Sequence, residues 1–182
     1  TTDGSGATLS GKMSGDVLSI NGVTGTFSDK NVGTGKTVTL KYSNAYLDGA
    51  SADNYELDAS GNQATATGNI TKATLTVTAN ANTISYGDDA DNNGVTYSGF
   101  VSGEGESVLD NTPVYEYNTK ADGSGDDYMA GSPVGVYYII PSGLSSNNYA
   151  ITYKTGVLTV EAKNIDYAGG TITQDENGYN VS

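Results

Sequence analysis

The feature that most restricts what this chain can fold into is an alternation of apolar and hydroxyl-bearing residues at every second position. KTVTLKY at 36–42 sets Val38, Leu40 and Tyr42 on one side and Thr37, Thr39 and Lys41 on the other. ATLTVTA at 73–79 does the same with Leu75 and Val77 against Thr74, Thr76 and Thr78. Successive Cβ atoms of a strand point to opposite faces, so such runs bury one face and wet the other. VYYII at 136–140, YAITYK at 149–154 and GVLTVEA at 156–162 continue the pattern, with Tyr137 and Ile139 on the face opposite Tyr138 and Ile140. No window of ten or more residues carries an apolar stripe at helical spacing. Between the runs lie DGASADN, TGN, YGDDADNNG, DGSGDD and SGLSSNN, which read as turns or loops. Gly supplies positive φ there, and Asn, Asp and Ser bond their own backbone. The expected class is all-β. The 14 Tyr and the short Val, Ile and Leu runs supply the apolar surface that a disordered chain lacks.

Absent residue types narrow the chemistry. The 182 residues include no Cys, His, Trp or Arg, which removes thiol nucleophiles, thiolate or imidazole metal sites and a Ser-His-Asp relay. Lys+Arg 8 against Asp+Glu 21 leaves a net charge of −13, which argues against nucleic acid and against anionic membrane surfaces as partners. The longest strongly apolar run, VYYII, is far short of the ~20 residues of a membrane-spanning helix, so no membrane insertion is expected of this segment. The chain opens TTDGSG without an initiator Met or a signal stretch, and it reads as an internal piece whose export signal and anchor lie outside it.

The two halves echo one another. NVGTGKTVTL at 31–40, ADNYEL at 52–57 and ITKATLTV at 70–77 have counterparts in PVGVYYII at 133–140, NNYAI at 147–151 and YKTGVLTV at 153–160. In each half a Val-Gly precedes a strand, an Asn-Tyr pair enters the next, and a Leu-Thr-Val strand closes the set. The organisation expected is two tandem Ig-like β-sandwich modules, residues 1–78 and 79–162, set end to end with almost no linker. Residues 163–182 form a short C-terminal β tail, either a hairpin or the start of a further module.

These same residues carry a resemblance. Residues 9–77, above all GTFSDKNVGTGKTV at 25–38, ADNYEL at 52–57 and GNITKATL at 68–75, resemble the YDG-type repeat of filamentous-haemagglutinin-like and other large bacterial surface adhesins. Asp3 and Gly4 match the naming triplet, while Thr2 stands where its Tyr is expected. Residues 75–162, with LTVTANANTISYGDD at 75–89, VTYSGFVSGEGESVL at 95–109 and GVYYIIPSGLSSNNYAITYKTGVLTV at 135–160, resemble the MBG ("mostly bacterial Ig-like") repeat. The resemblance implies a non-enzymatic extracellular segment of a bacterial cell-surface protein. Such a segment acts as a stalk or spacer beside neighbouring repeats, and in some cases as an adhesive surface.

Two groups of residues are candidate sites. Asp88, Asp89, Asp91 and Asn93 lie close together in SYGDDADNNG and have the oxygen spacing of a calcium loop, without its twelfth-position Glu; the competing reading is a solvated turn. The DGSGDD loop at 122–127 reads as a mobile Gly-rich turn. Tyr115 and Tyr117 share one strand face and are the candidate ligand residues for a host or environmental glycan or protein, against the reading that Tyr fills the core edge with its hydroxyl at the rim. Catalysis finds little support. Glu104 with Glu106, and Glu116 with the Asp126 loop, are the only tempting carboxylate pairs, and nothing apolar surrounds Glu104 and Glu106 in the GEGES turn to raise a pKa. NVGTGK at 31–36 leads into a strand and lacks phosphate-loop spacing.

Overall fold

A computed structural model describes residues 8–58, 60, 62–166, 169–170, 172–175 and 178–181. The opening residues that contain Thr2, Asp3 and Gly4 lie outside these. The architecture is all-β, with no α-helix among the described residues. The chain divides into two compact units: Thr1–Ala73 with Asn147–Ala150, and Thr74–Ser146 with Ile151–Ser182.

In the first unit, β1 (Ser19–Asn21) pairs antiparallel with β4 (Tyr46–Asp48), and Ile20 is buried opposite Leu47. A second sheet holds β2 (Thr24–Phe27), β3 (Gly33–Lys41) and β5 (Thr65–Ile70) in the order β2-β3-β5. The alternation read from KTVTLKY is realised in β3, where Val38 is buried and its neighbours Thr37 and Thr39 are exposed. Where the turn enters β3, Asp29 accepts hydrogen bonds from the Asn31 amide at 2.8 Å and Lys36 Nζ at 2.6 Å. Two sequence expectations fail here. TGN at 67–69 is no turn but lies within β5, because Gly68 leaves the space that the Phe27 ring occupies; an added Cβ would stand 2.9 Å from Phe27 Cε1. The Asn54-Tyr55 pair does not enter a strand. It ends a short 3-10 turn, and the Tyr55 hydroxyl is committed instead to Asp16 and to the Met13 amide. Asn148 also belongs to this unit: its Oδ1 accepts from the Val32 amide at 2.9 Å, its Nδ2 donates to Asn31 Oδ1 at 3.1 Å, and its carbonyl accepts from the Ala73 amide at 3.0 Å.

The second unit has two sheets. One runs β7 (Asn82–Ser85), β12 (Gly156–Glu161), β10 (Gly135–Ser142), β9 (Val114–Asn118); the other runs β11 (Tyr149–Lys154), β6 (Ala73–Ala79), β8 (Val95–Ser98). The sequence reading closes the first module with the strand at 73–79. The pairing sets that strand between β11 and β8, and from Thr74 onward it lies in the second unit. The apolar half of its alternation explains this: Leu75, Val77 and Ala79 are all buried, which requires a second sheet to cover them. Tyr137, Ile139, Leu158 and Val160 from the other sheet, with Tyr128 and Ala79, form the core cluster, and Ile84, Ala90, Tyr115 and Tyr117 pack against it. Residues of the tail pair as an antiparallel hairpin, β13 (Ile172–Asp175) with β14 (Gly178–Val181).

Gly156 opens β12 where the chain leaves room for nothing larger. A Cβ there would stand 2.6 Å from the Ala79 carbonyl oxygen and 2.9 Å from that of Asn80, both backbone atoms that cannot swing aside. Gly156→Ala is therefore expected to lower the stability of the second unit by about 1–3 kcal/mol, as forced overpacking does. Chemical denaturation of the chain and the variant measures this, and an unchanged midpoint would contradict it.

Candidate functional site

Amide side chains tie the acidic loop between β7 and β8 to the backbone around it. Asn82 Nδ2 donates to the Asp91 carbonyl at 3.0 Å, Asn80 Nδ2 to the Asn93 carbonyl at 2.8 Å, and Asn93 Nδ2 to the Ala81 carbonyl at 3.2 Å. The candidate carboxylates turn back onto their own loop: Asp88 Oδ2 accepts from the Ser85 amide at 3.2 Å and Asp91 Oδ1 from the Asn92 amide at 2.8 Å. Asp89 is exposed. Among the described residues no three acidic side chains gather as ligands for one ion, so Asp88, Asp89, Asp91 and Asn93 share a loop without converging on a point.

Tyrosine ties this loop to the core. Tyr128, buried, packs edge-on against Tyr137 with ring centroids 5.0 Å apart and donates to the Asp88 carbonyl at 2.7 Å. Burial pushes its phenol above the ordinary 10.0, and Tyr137, Asp88 and Asp89 add to the shift. Tyr115 and Tyr117 do share a face, and that face turns toward the core, each ring half-buried. Burial raises both phenols; for Tyr117 the charge of Asp91 adds to the rise and a bond with the Asn92 side chain offsets part of it. Tyr97 on β8 is raised first by burial, then by Glu106, Tyr115 and Tyr153 around it.

The residue that sequence reasoning missed is Asn118. It is only 2% exposed, and it organises the loop expected to be mobile. Its Oδ1 accepts from the amides of Lys120 (2.9 Å) and Gly125 (3.0 Å), while Nδ2 donates to the Gly125 carbonyl and to Asp127 Oδ1, both at 3.0 Å. Thr119 Oγ1 accepts from the Asp126 amide at 2.9 Å. Asn is ordinarily a surface residue, and the only available signal was its position directly before a Gly-rich turn. These contacts tie the loop to the end of β9.

What the geometry defines is a pair of β-sheet units whose polar side chains serve the backbone. Residues 1–67 match the YDG domain, and residues 75–159 match the MBG domain (YGX type). The two matches lie in tandem along the chain. Both are repeat modules of surface proteins, and neither is an enzymatic family. No curated protein and no solved structure gives a significant match. No helix among the described residues is long and apolar enough to cross a membrane.

Two measurements test the site. Calcium addition or chelation is expected to leave the melting temperature unchanged; a rise of several degrees with calcium would mean that the loop carboxylates rearrange around an ion. The tyrosines set an alkaline limit. Tyr97, Tyr115, Tyr117 and Tyr128 bind their protons more tightly folded than unfolded, so their contribution is fully present below pH 10.0 and is lost as pH rises through the higher folded values. Melting temperature should fall above about pH 10 together with the appearance of phenolate absorbance, and a flat profile to pH 11.5 would refute this.

Proposed function

We propose that this chain is a non-enzymatic, load-bearing stalk or spacer segment of a large bacterial cell-surface protein, located outside the cell beside further repeats. The observation that carries the reading is the parallel pairing of β7 with β12. Its register sets Asn82 with Leu158, Thr83 with Thr159, Ile84 with Val160 and Ser85 with Glu161, and the Tyr86 amide adds a bond to the Glu161 carbonyl at 2.7 Å.

The chain enters the second unit through β6, which leads into β7, and β12 is its last strand ahead of the tail. Tension applied at the start of β7 and the end of β12 draws β7 toward its N-terminus and β12 toward its C-terminus. Two parallel strands pulled in opposite senses slide along their length, so every bond between them must fail together. An antiparallel pair pulled apart from one end yields its bonds one at a time. A module loaded in this way resists extension through geometry, without any single reactive residue. The domain assignments support the surface context, and the all-β, Cys-free composition is compatible with it.

Because the chain has no native Cys, introduced cysteines define unique pulling points. Handles at Ala81→Cys, just ahead of β7, and Glu161→Cys load β7 against β12 in shear. Handles at Val136→Cys and Glu161→Cys sit at one end of the antiparallel β10–β12 pair, where Val136 lies opposite Thr159, and peel it. Single-molecule pulling should give an unfolding force several-fold higher in the first geometry. Equal forces would overturn the load-bearing reading.

A further inference from the structure

The core of the second unit covers one face of the sheet β7-β12-β10-β9 and leaves an apolar row on the other. VYYII at 136–140 is apolar or aromatic at every position, the composition of a strand covered on both sides. Only one side is covered. In β10 Tyr137 and Ile139 are buried, and in β12 Leu158 and Val160 are, so the alternate positions point to the opposite face. There Val136 is 59% exposed and Val157 39%, while Tyr138 and Ile140 are half-buried. The exposed face of β3, by contrast, carries Thr37, Thr39 and Lys41.

Register brings these side chains together. On one side of β10 Val136 lies opposite Thr159 and Tyr138 opposite Val157; on the other side Ile140 lies opposite Glu116. Opposed side chains on one face stand within about 5.5 Å at Cβ. Carboxylates mark both ends of the row. Glu116 sits beside Ile140, and Glu161 follows Thr159 by two residues on β12, past Val136. Both are exposed, and among the described residues neither has an ion-pair partner. Three two-residue steps of the register separate them, about 20 Å along the strands. The four strands carry no Lys. At the Ile140 end the face is bordered by the loop that Asn118 holds: a Gly123 Cβ would stand 3.6 Å from Ile140 Cδ1, and Asp122 and Asp126 of that loop are exposed.

We propose that this face docks a basic amphipathic helix of a partner protein, its apolar side on Val136, Tyr138, Ile140 and Val157 and its Lys or Arg side chains on Glu116 and Glu161. A helix reaching from one carboxylate to the other needs about fourteen residues. Charge selects this occupant. Residues 74–162 hold two Lys against eleven Asp and Glu, nine of the thirteen net negative charges of the chain, so the field around the face draws cations toward it. A second copy would set the same carboxylates, and a net charge of −13, against their like. Residues 163–182 offer one Lys against three carboxylates. The row is part of a paired sheet, so little ordering of this side is needed on binding.

The test is fluorescence anisotropy of a labelled peptide of about fourteen Leu and Lys residues, patterned as an amphipathic helix and titrated with the full chain in about 0.15 M salt. Saturable binding is expected. Control peptides with Ser for every Leu, or Glu for every Lys, should not bind. The double variants Val136→Thr/Val157→Thr and Glu116→Gln/Glu161→Gln change only exposed side chains and are expected to keep their melting temperature; each should weaken binding at least about fivefold. Asp53→Asn/Glu56→Gln removes two exposed carboxylates of the first unit and changes the net charge equally, yet should leave the affinity unchanged. No saturable binding, equal binding of the Ser/Lys peptide, unchanged affinity in either face variant, or an equal loss in the first-unit variant would each overturn the proposal. The pulling experiment contains no peptide, so the docking face and the stalk reading fail independently.

Discussion

A tyrosine ring cannot be buried without finding a partner for its hydroxyl, and the loops of this protein are arranged around that requirement. With 14 Tyr, 2 Phe and no Trp, the aromatic volume available for the core is almost all phenolic. An unpaired buried hydroxyl costs about 1–3 kcal/mol, comparable to what burying a side chain contributes. The structure meets the need with backbone. Tyr42 donates to the Gln63 carbonyl, Tyr128 to that of Asp88, Tyr137 to that of Pro133 and Tyr153 to that of Leu144. Each bond fixes a loop to the sheet whose ring it satisfies. Among the described residues no buried side-chain nitrogen or oxygen is left without a partner.

Asparagine does for the connections what tyrosine does for the core. A loop of Gly, Asp and Ser has many backbone groups and few apolar anchors, and on composition alone it should fray. Asn118 fixes the 119–127 loop from inside, and Asn80, Asn82 and Asn93 lace the 91–94 segment to 80–82. A carboxamide both donates and accepts at neutral charge, so it can replace an absent backbone partner in either sense. Surface domains with small cores often depend on disulfides or metals for this purpose. Here side-chain amides tie the loops to the backbone, and in the Asp-rich loop Asp88 and Asp91 accept from the Ser85 and Asn92 amides.

Strand content was legible because period-2 burial is written directly into the residues: the alternation of KTVTLKY and ATLTVTA reappears as the burial patterns of β3 and β6. The failures have a common physical source. Whether Thr67-Gly68-Asn69 turns or extends depends on the Phe27 ring above it, and Phe27 is forty-one positions away in sequence. Similarly, β6 follows the first unit in the chain, but only the opposite sheet can show which core Leu75 and Val77 complete. The burial of Asn118 is also a tertiary fact with no local signature. Side-chain chemistry was readable from single positions, and partner choice was not.

The load-bearing reading places its demand on one edge of the four-stranded sheet, where β7 and β12 meet through main-chain bonds and side-chain identity matters little. A chain lacking Cys, His, Trp and Arg can meet that demand, since parallel backbone pairing rather than a reactive side chain would carry it.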